Sequence, residues 1–378
     1  MQPAQRIDRT GFLALSLELS VASWKLAASD GRRPRPSSFR ADAVEAKGRL
    51  QQVVELVGQI KRRWELPEDV RVVLLYEAGQ DGFWIARALR AQGMEVVVCD
   101  PKSIPVPRDA RRAKTDRLDA ILLLESLLAW LRGERGRLRE VHLPSPHAEA
   151  LRHLTRDRGQ LQKEIGQHRD RMRKLLRLHG CWIAPEANVG ELLAGAQLCC
   201  WDGSALPSEL LRRLQAECER LEVVQAQFKK LEVSLKQLLP QPVRQRIDCL
   251  QNLCGVGPVG ATRLEVEFLW RDFHNRRQVG AALGLVPQPY DSGESHRDQG
   301  ISKASNRRVR SLSIEMSWMW LKYQPDSEIT KWFEQRTKGA GKRIKRIAIV
   351  AVARRLMIAL WRYATDGVVP TGARLKTS

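Results

Sequence analysis

The sequence predicts an α/β domain followed by a long, mostly helical region. Three observations carry that prediction. Short apolar runs alternate with helix-patterned segments from residue 12 to residue 128, the signature of strands separated by helices. From residue 144 onward the pattern changes to long helical stretches with charged faces. The chain carries a formal net charge of +21 and a pI near 10.2, and its basic residues are spread over the whole length. An excess of that size implies an acidic partner, and nucleic acid is the first candidate. The length of 378 residues suggests two or three domains, and 43% hydrophobic content is ample for their cores.

Residues 1–10 are polar. Phe12–Glu18 alternates as a strand, Val21–Ala28 suits a second, and Asp30–Gly31 ends the pair with turn chemistry. Glu18 closes an otherwise apolar strand, so it either faces the surface or has a function. Residues 42–64 form an amphipathic pattern with Val44, Leu50, Val53, Val57 and Ile60. After Pro67 the run VRVVLLYEAG reads as a buried central strand ending in Glu77. Phe83–Leu89 starts a helix, and Met94–Cys99 is another buried strand. In Arg111–Leu128, apolar residues recur at helical spacing from Leu118. Asp116 and Asp119, three apart, share one face of the first turn, where free backbone N–H groups tolerate negative charge. Arg111, Arg112 and Lys114 precede them. That arrangement suits a divalent metal with a polyanion held over it, or simply a solvated helix start.

Open α/β sheets gather functional groups at the carboxyl ends of their strands. Glu18 and Glu77 occupy such ends, and Asp116 and Asp119 follow the strand ending at Cys99 by one loop. Four carboxylates on one sheet edge repel unless cations neutralise them. Magnesium with all-oxygen ligands fits, and two ions suit the attacking and leaving oxygens of a phosphodiester.

Residues 144–180 read as a basic helix with Arg156, Arg158, Lys163, Arg169 and Arg173 among its cations, and 181–206 as a connector. Residues 207–238 return to helix with spacings of three, four and seven, which suit two antiparallel helices or a coiled coil between chains. Residues 246–268 suggest a helix-hairpin-helix around Gly255 and Gly257, able to offer N–H groups to a phosphate or to make a plain tight turn. Pro287–Gly300 has loop composition. Ser292 lies in it among Arg276, Arg277, Arg297, Lys303, Arg307, Arg308 and Arg310. Such a serine is either a turn residue or a nucleophile toward phosphorus, its developing charge met by guanidinium groups. Residues 306–323 and 342–363 are helical. Trp318, Trp320, Trp332 and Trp361 sit among aliphatic residues and read as packing aromatics. Lys338, Lys342, Arg343, Lys345 and Arg346 precede or open the last helix and suit phosphate contact. No GxSxG elbow occurs, and the histidines form no metal-ligand pattern. The seven cysteines lack CxxC spacing and read as reduced thiols of a cytosolic protein. The sequence has no signal-peptide pattern and no apolar run long enough to span a bilayer, so no membrane role is expected.

Several of these stretches, in this order, resemble transposases of the insertion-sequence 110 family, which are bridge-RNA-guided DNA recombinases. The resemblance runs from about Phe12 to Val369. KTDRLDA matches the family's third and fourth acids at Asp116 and Asp119, YEAGQDGFW the second at Glu77, and YDSG followed by GISKASNRRVR the serine at Ser292. The family's first acid is usually Asp at the end of the first strand. Here Glu18, in LELS, stands in that place, whereas an ungapped match would put Ser16 there. GISK is followed by ASN, where the family more often has a small residue and Gly.

The resemblance implies an RNase H-like (RuvC-like) DEDD domain over 10–135, a helical coiled-coil region over 144–240, and a C-terminal transposase domain with helix-hairpin-helix over 245–369. It implies Mg²⁺ held by Glu18, Glu77, Asp116 and Asp119, attack by Ser292 through a covalent 5′-phosphoserine link, and strand exchange between donor and target DNA. Nucleic-acid contacts are expected from Arg111, Arg112, Lys114, Arg297, Lys303, Arg307, Arg308, Lys342 and Arg343. The implied partners are double-stranded DNA, a non-coding guide RNA and further copies of the chain in dimers or tetramers. The implied location is the prokaryotic cytoplasm, at the nucleoid. Two other readings remain at this stage: a metal-dependent structure-specific nuclease resembling Holliday-junction resolvases, and a decayed protein that only binds nucleic acid.

Overall fold

A computed structural model describes residues 11–104, 115–292, 295–304 and 306–376, with the backbone alone at 290–292 and 295–298. The chain forms two compact units, Met1–Pro144 and Ser145–Ser378.

The first unit runs β1 (Phe12–Glu18), β2 (Trp24–Ser29), β3 (Ser37–Ala41), α1 (Ala46–Arg63), β4 (Arg71–Glu77), α2 (Trp84–Ala91), β5 (Glu95–Cys99) and α3 (Asp116–Leu131). The strand order is β3-β2-β1-β4-β5. β1, β2 and β3 pair antiparallel, whereas β1, β4 and β5 are parallel. Helices cover both faces, which is why the central strands read as continuous apolar runs. Leu13, Leu15, Leu17, Leu74, Tyr76, Val96 and Val98 pack with Val53, Val57 and Ile60 of α1 and Ile85 and Leu89 of α2. The alternate residues Ala14, Val73, Leu75, Val97 and Cys99 pack with Ala120, Leu123, Leu124 and Leu127 of α3.

Three local readings change. The second strand starts at Trp24, since Val21 is 86% exposed in the loop before it. The helix expected from residue 42 starts at Ala46, because the Gln52 side chain accepts hydrogen bonds from the N–H groups of Asp42 and Ala43 and turns the chain first. β3 was not anticipated from SSFRA, an edge strand whose outer residues remain partly exposed.

The second unit runs α4 (Pro146–Arg177), α5 (Val189–Ala194), α6 (Ser208–Leu238), α7 (Gln241–Gln251), α8 (Pro258–Leu264), a π-helical turn at Glu265–Leu269, α9 (Arg276–Leu283), β6 (Pro287–Ser292), β7 (Ser295–Ile301), α10 (Arg307–Tyr323), α11 (Glu328–Thr337) and α12 (Lys342–Asp366). α4 and α6 pair within the chain as antiparallel helices. Arg158 meets Glu232, and farther along Arg171 meets Glu217. Ile165, Met172 and Leu176 close the seam against Leu210, Leu214 and Leu221. The remaining helices share a core around Leu250, Leu264, Phe268, Leu283, Leu356 and Trp320, whose Nε1 donates to Ser327 Oγ at 2.9 Å. Trp332 and Trp361 are partly buried, and Trp318 lies at the rim, 45% exposed.

Gly255 in the turn between α7 and α8 has φ +82°, and a Cβ there would lie 3.2 Å from the Met319 carbonyl oxygen of α10. Packing on α10 therefore explains this glycine without a phosphate. The segment expected as a loop over Pro287–Gly300 instead holds two paired antiparallel strands, Pro287–Ser292 and Ser295–Ile301. Its prolines fit because a two-stranded ribbon has only edge strands, and the register shifts between Pro287 and Pro289. Among the described residues, no helix is long and apolar enough to cross a membrane.

Candidate catalytic site

Two strand periods put Glu18 and Glu77 on one face of the sheet. In β1 the even-numbered residues face α3, and in β4 the odd-numbered ones do. Leu17 pairs with Tyr76 and Glu77 with Cys99, so Glu18, Glu77 and Cys99 form one row across three neighbouring strands at their carboxyl ends. Adjacent strands are about 4.8 Å apart, which sets the backbone spacing of the two acids. Their charge is felt by Cys99. Burial, then Glu77, and more weakly Asp100 and Glu18, push that thiol up to about 12.

The loop after Glu18 is pinned from α1. The nearly buried Arg49 guanidinium donates to the carbonyl oxygens of Ser20, Val21 and Ala22 at 2.9, 2.7 and 3.2 Å. Ser16, the ungapped alternative to Glu18, lies fully buried within β1. Its hydroxyl donates to the Ala120 carbonyl oxygen at 2.6 Å. That bond ties α3, just past its first turn, to the strand that ends in Glu18. Ala120 is buried against the sheet, and Asp116, four residues before it, shares its helix face. Asp119 is the neighbour of Ala120 and half-buried. Thr115 caps this helix by accepting from the Leu118 N–H at 3.3 Å, and the Asp119 N–H reaches the Thr115 carbonyl at 3.0 Å. The sequence reading missed Thr115, although a threonine directly before an acidic first turn is a capping signal.

All four acids thus lie at the carboxyl end of one sheet face or on the helix that begins over it. They do not close into a cage. Among the described residues, no group of three or more His, Cys, Asp or Glu side chains is arranged to hold a metal ion. In chemistry the set suits a hard divalent cation, since every donor is a carboxylate oxygen.

In the second unit Ser292 ends β6 and pairs with Ser295. The connecting residues 293 and 294 lie outside the described residues, as do Arg111, Arg112 and Lys114. The base of the hairpin is anchored by backbone bonds from Ser302 N–H to the Val286 carbonyl and from Lys303 N–H to the Gly284 carbonyl. Lys303 adopts φ +51°, a left-handed conformation unusual for a lysine. Arg297 lies on β7 opposite Tyr290. Lys303, Arg307 and Arg308 are exposed where the hairpin leads into α10, and Lys342 and Arg343 are exposed at the start of α12.

Comparison with known proteins agrees across both units. One family model, described as a transposase and named for the DEDD set and IS110, matches residues 38–180. A second, described as the transposase IS116/IS110/IS902 family, matches residues 247–331. The first span includes Glu77, Asp116 and Asp119, and the second includes Ser292. The chain is 38% identical to y4rJ of Sinorhizobium fredii, named as a transposase, over 99% of this chain and 97% of that protein. It is 30% identical to y4qE of the same organism, also named as a transposase, over 67% of this chain and 60% of that one. It is 23% identical to the transposase for insertion sequence element IS1328 of Yersinia enterocolitica, over 79% of this chain and 85% of that protein.

Proposed function

This chain belongs to the IS110 family of insertion-sequence transposases, and from that premise we propose that it is an RNA-guided DNA recombinase using a phosphoserine link. The family as a whole comprises enzymes that cleave and rejoin DNA. The observation that carries the finer reading is the row formed by Glu18 and Glu77 on the sheet face where α3 begins with Asp116 and Asp119. Adjacent carboxylates repel one another, and a bound cation offsets that repulsion.

In this reading Glu18, Glu77, Asp116 and Asp119 hold Mg²⁺, which when bound would neutralise charge on the scissile phosphate. The Ser292 hydroxyl attacks phosphorus. A serine O–P bond forms and the bond to the 3′ oxygen breaks. The serine gives up its proton, and the departing 3′ oxygen takes one, leaving a 3′-hydroxyl and a 5′-phosphoserine. A 3′-hydroxyl from the other DNA then attacks that link and releases the serine. Each step exchanges one phosphodiester for another, so no external energy source is needed. Arg297, Lys303, Arg307 and Arg308 surround the serine hairpin in sequence and would offset the phosphate charge. Arg111, Arg112, Lys114, Lys342 and Arg343 would grip backbone, which fixes register without reading sequence.

Sequence reading falls to a guide RNA paired with both DNAs. The net charge of +21 supports a protein that holds two polyanions. The α4–α6 pair is the segment we assign to coiled-coil assembly into dimers or tetramers, and the cytoplasm is where such a complex would work. Glu77→Gln tests the acid set, because it removes a charge while keeping the side chain's size. Strand cleavage should fall by about 10²–10³-fold, the usual cost of one lost electrostatic contact to a transition state. Binding of the element's RNA should stay within twofold. Cleavage at the unmodified rate would remove Glu77 from the site.

A further inference from the structure

The second unit contains a cleft between α4 and α10 with a volume of about 480 Å³. Arg156, Arg158, Gly159 and Lys163 line it from α4, Arg263 from α8 and Arg308 from α10. Glu267 is the single acid in the lining. Cations gathered this closely repel one another. The chain offsets part of that repulsion with its own carboxylates. Arg156 donates to both oxygens of Glu267 at 3.0 and 3.2 Å, and Arg158 donates to Glu232 at 2.7 and 3.1 Å. Arg263 reaches Glu315 at 3.4 Å. Lys163 and Arg308 have no salt-bridge partner among the described residues.

The walls are also held at a fixed spacing. Glu267, with 5% of its side chain exposed, accepts from Asn306 Nδ2 at 3.1 Å as well as from Arg156. Asn306 in turn caps α10 by accepting from the Arg308 N–H at 3.0 Å. One buried carboxylate therefore joins α4, the π-helical turn and the start of α10. A second feature points the same way. Gly159 lies inside the 32-residue helix α4, where glycine is less stable than alanine. Beyond its own helix backbone, a Cβ at Gly159 would meet nothing within 4 Å, as at Gly166 of the same helix, and of the two only Gly159 lines the cleft. No packing demand explains it, and it leaves the α4 backbone open to close approach from the cleft.

We propose that this cleft binds the phosphodiester backbone of a nucleic-acid strand. Lys163 and Arg308 are its direct contacts, and the three paired arginines supply a fixed positive field around them. The proposal rests on the reading of the chain as a nucleic-acid enzyme. It adds a site within Ser145–Ser378 that shares Arg308 with the cations around the serine hairpin and extends them to α4.

The test is the salt dependence of binding by the full chain, with a mixed-sequence DNA duplex in one arm and an RNA hairpin in the other. Each phosphate contact to duplex DNA contributes about 0.9 to the slope of log affinity against log salt. The double variant Lys163→Ala/Arg308→Ala should therefore lose about 1.8 from that slope if duplex DNA occupies the cleft, or about 1.4 if a single strand of RNA does. Its fold should persist, because neither side chain is paired. The control Lys229→Ala/Lys331→Ala removes the same charge from exposed positions elsewhere. Gly159→Leu should raise the melting temperature yet weaken binding at least severalfold at fixed salt, a combination that a purely structural glycine would not give. The arm whose slope moves identifies DNA or RNA as the occupant. A slope change no larger than the control's in both arms, or undiminished binding by Gly159→Leu, overturns the cleft alone. Failure of the unmodified protein to bind either polymer would overturn the proposed function with it.

Discussion

Glu18 and Glu77 end neighbouring strands on one sheet face because β1 and β4 are parallel and each strand's two-residue period turns its last residue toward α3. That much was legible in the sequence, since both acids end apolar runs whose length fixes them as strands. The supports around them were not. Ser16 donates to a carbonyl 104 residues away, and Arg49 holds three carbonyls of the loop after Glu18. Such bonds to backbone across the fold leave no pattern in local spacing. Thr115 is different, because its capping role is local. Thr115→Ala should cost about 1 kcal/mol of stability in denaturant unfolding, and Thr115→Ser should restore most of it. Equal stability of Thr115→Ala and the unmodified chain would show that the first turn of α3 does not depend on its cap. Since Asp116 and Asp119 ride on that turn, cleavage should weaken in Thr115→Ala with RNA binding unchanged.

Among the elements, β1, β4 and β5 were readable because both of their faces are buried. β3 was not, because an edge strand keeps polar residues. The hairpin β6–β7 was hidden by its prolines and glycines, which usually mark a loop but are tolerated in a two-stranded ribbon. Pairing of α4 with α6 was within reach of the heptad-like spacing, yet the charged residue at its centre was not. Glu217 is fully buried between the helices and meets His168 and Arg171 at 2.7 Å, Arg220 at 3.0 Å and Arg213 at 3.8 Å. Burial pushes its carboxyl up, but hydrogen bonds from His168 and Arg171 outweigh that, and it titrates below the ordinary glutamate value. A lowered folded-state value means that stability is present above the unfolded value and lost as pH falls through the folded one. Glu217→Ala should destabilise the second unit by about 2–3 kcal/mol. That is somewhat under the cost of breaking a fully enclosed pair, because the arginines are about half-exposed. The difference between variant and unmodified protein should shrink in acid. A difference that stays constant from neutral pH down to pH 3 would exclude this role for the Glu217 charge.

At the scale of the whole molecule, the acids and the serine lie in different compact units, Met1–Pro144 and Ser145–Ser378. The proposed reaction needs the acids and the serine at one phosphodiester, and these can come from one chain or from two. Mixing Ser292→Ala protein with Asp119→Ala protein separates these cases. Sites composed across subunits should regain partial cleavage in mixed oligomers, since some would hold one intact set. Sites built within a chain would stay silent in every mixture. The central claim is that Ser292 attacks the phosphodiester while the acids serve the same reaction without forming a bond to DNA. The measurement that reaches it most directly is peptide mapping of protein denatured during reaction with element-end DNA and its guide RNA. The account predicts a 5′-phosphorylated DNA end attached to the peptide containing Ser292. It predicts that the adduct is absent in Ser292→Ala, which should still bind DNA. Recombination by Ser292→Ala at the unmodified rate, with no adduct on any serine of the unmodified protein, would contradict it and leave a metal-dependent nuclease of resolvase type as the better account.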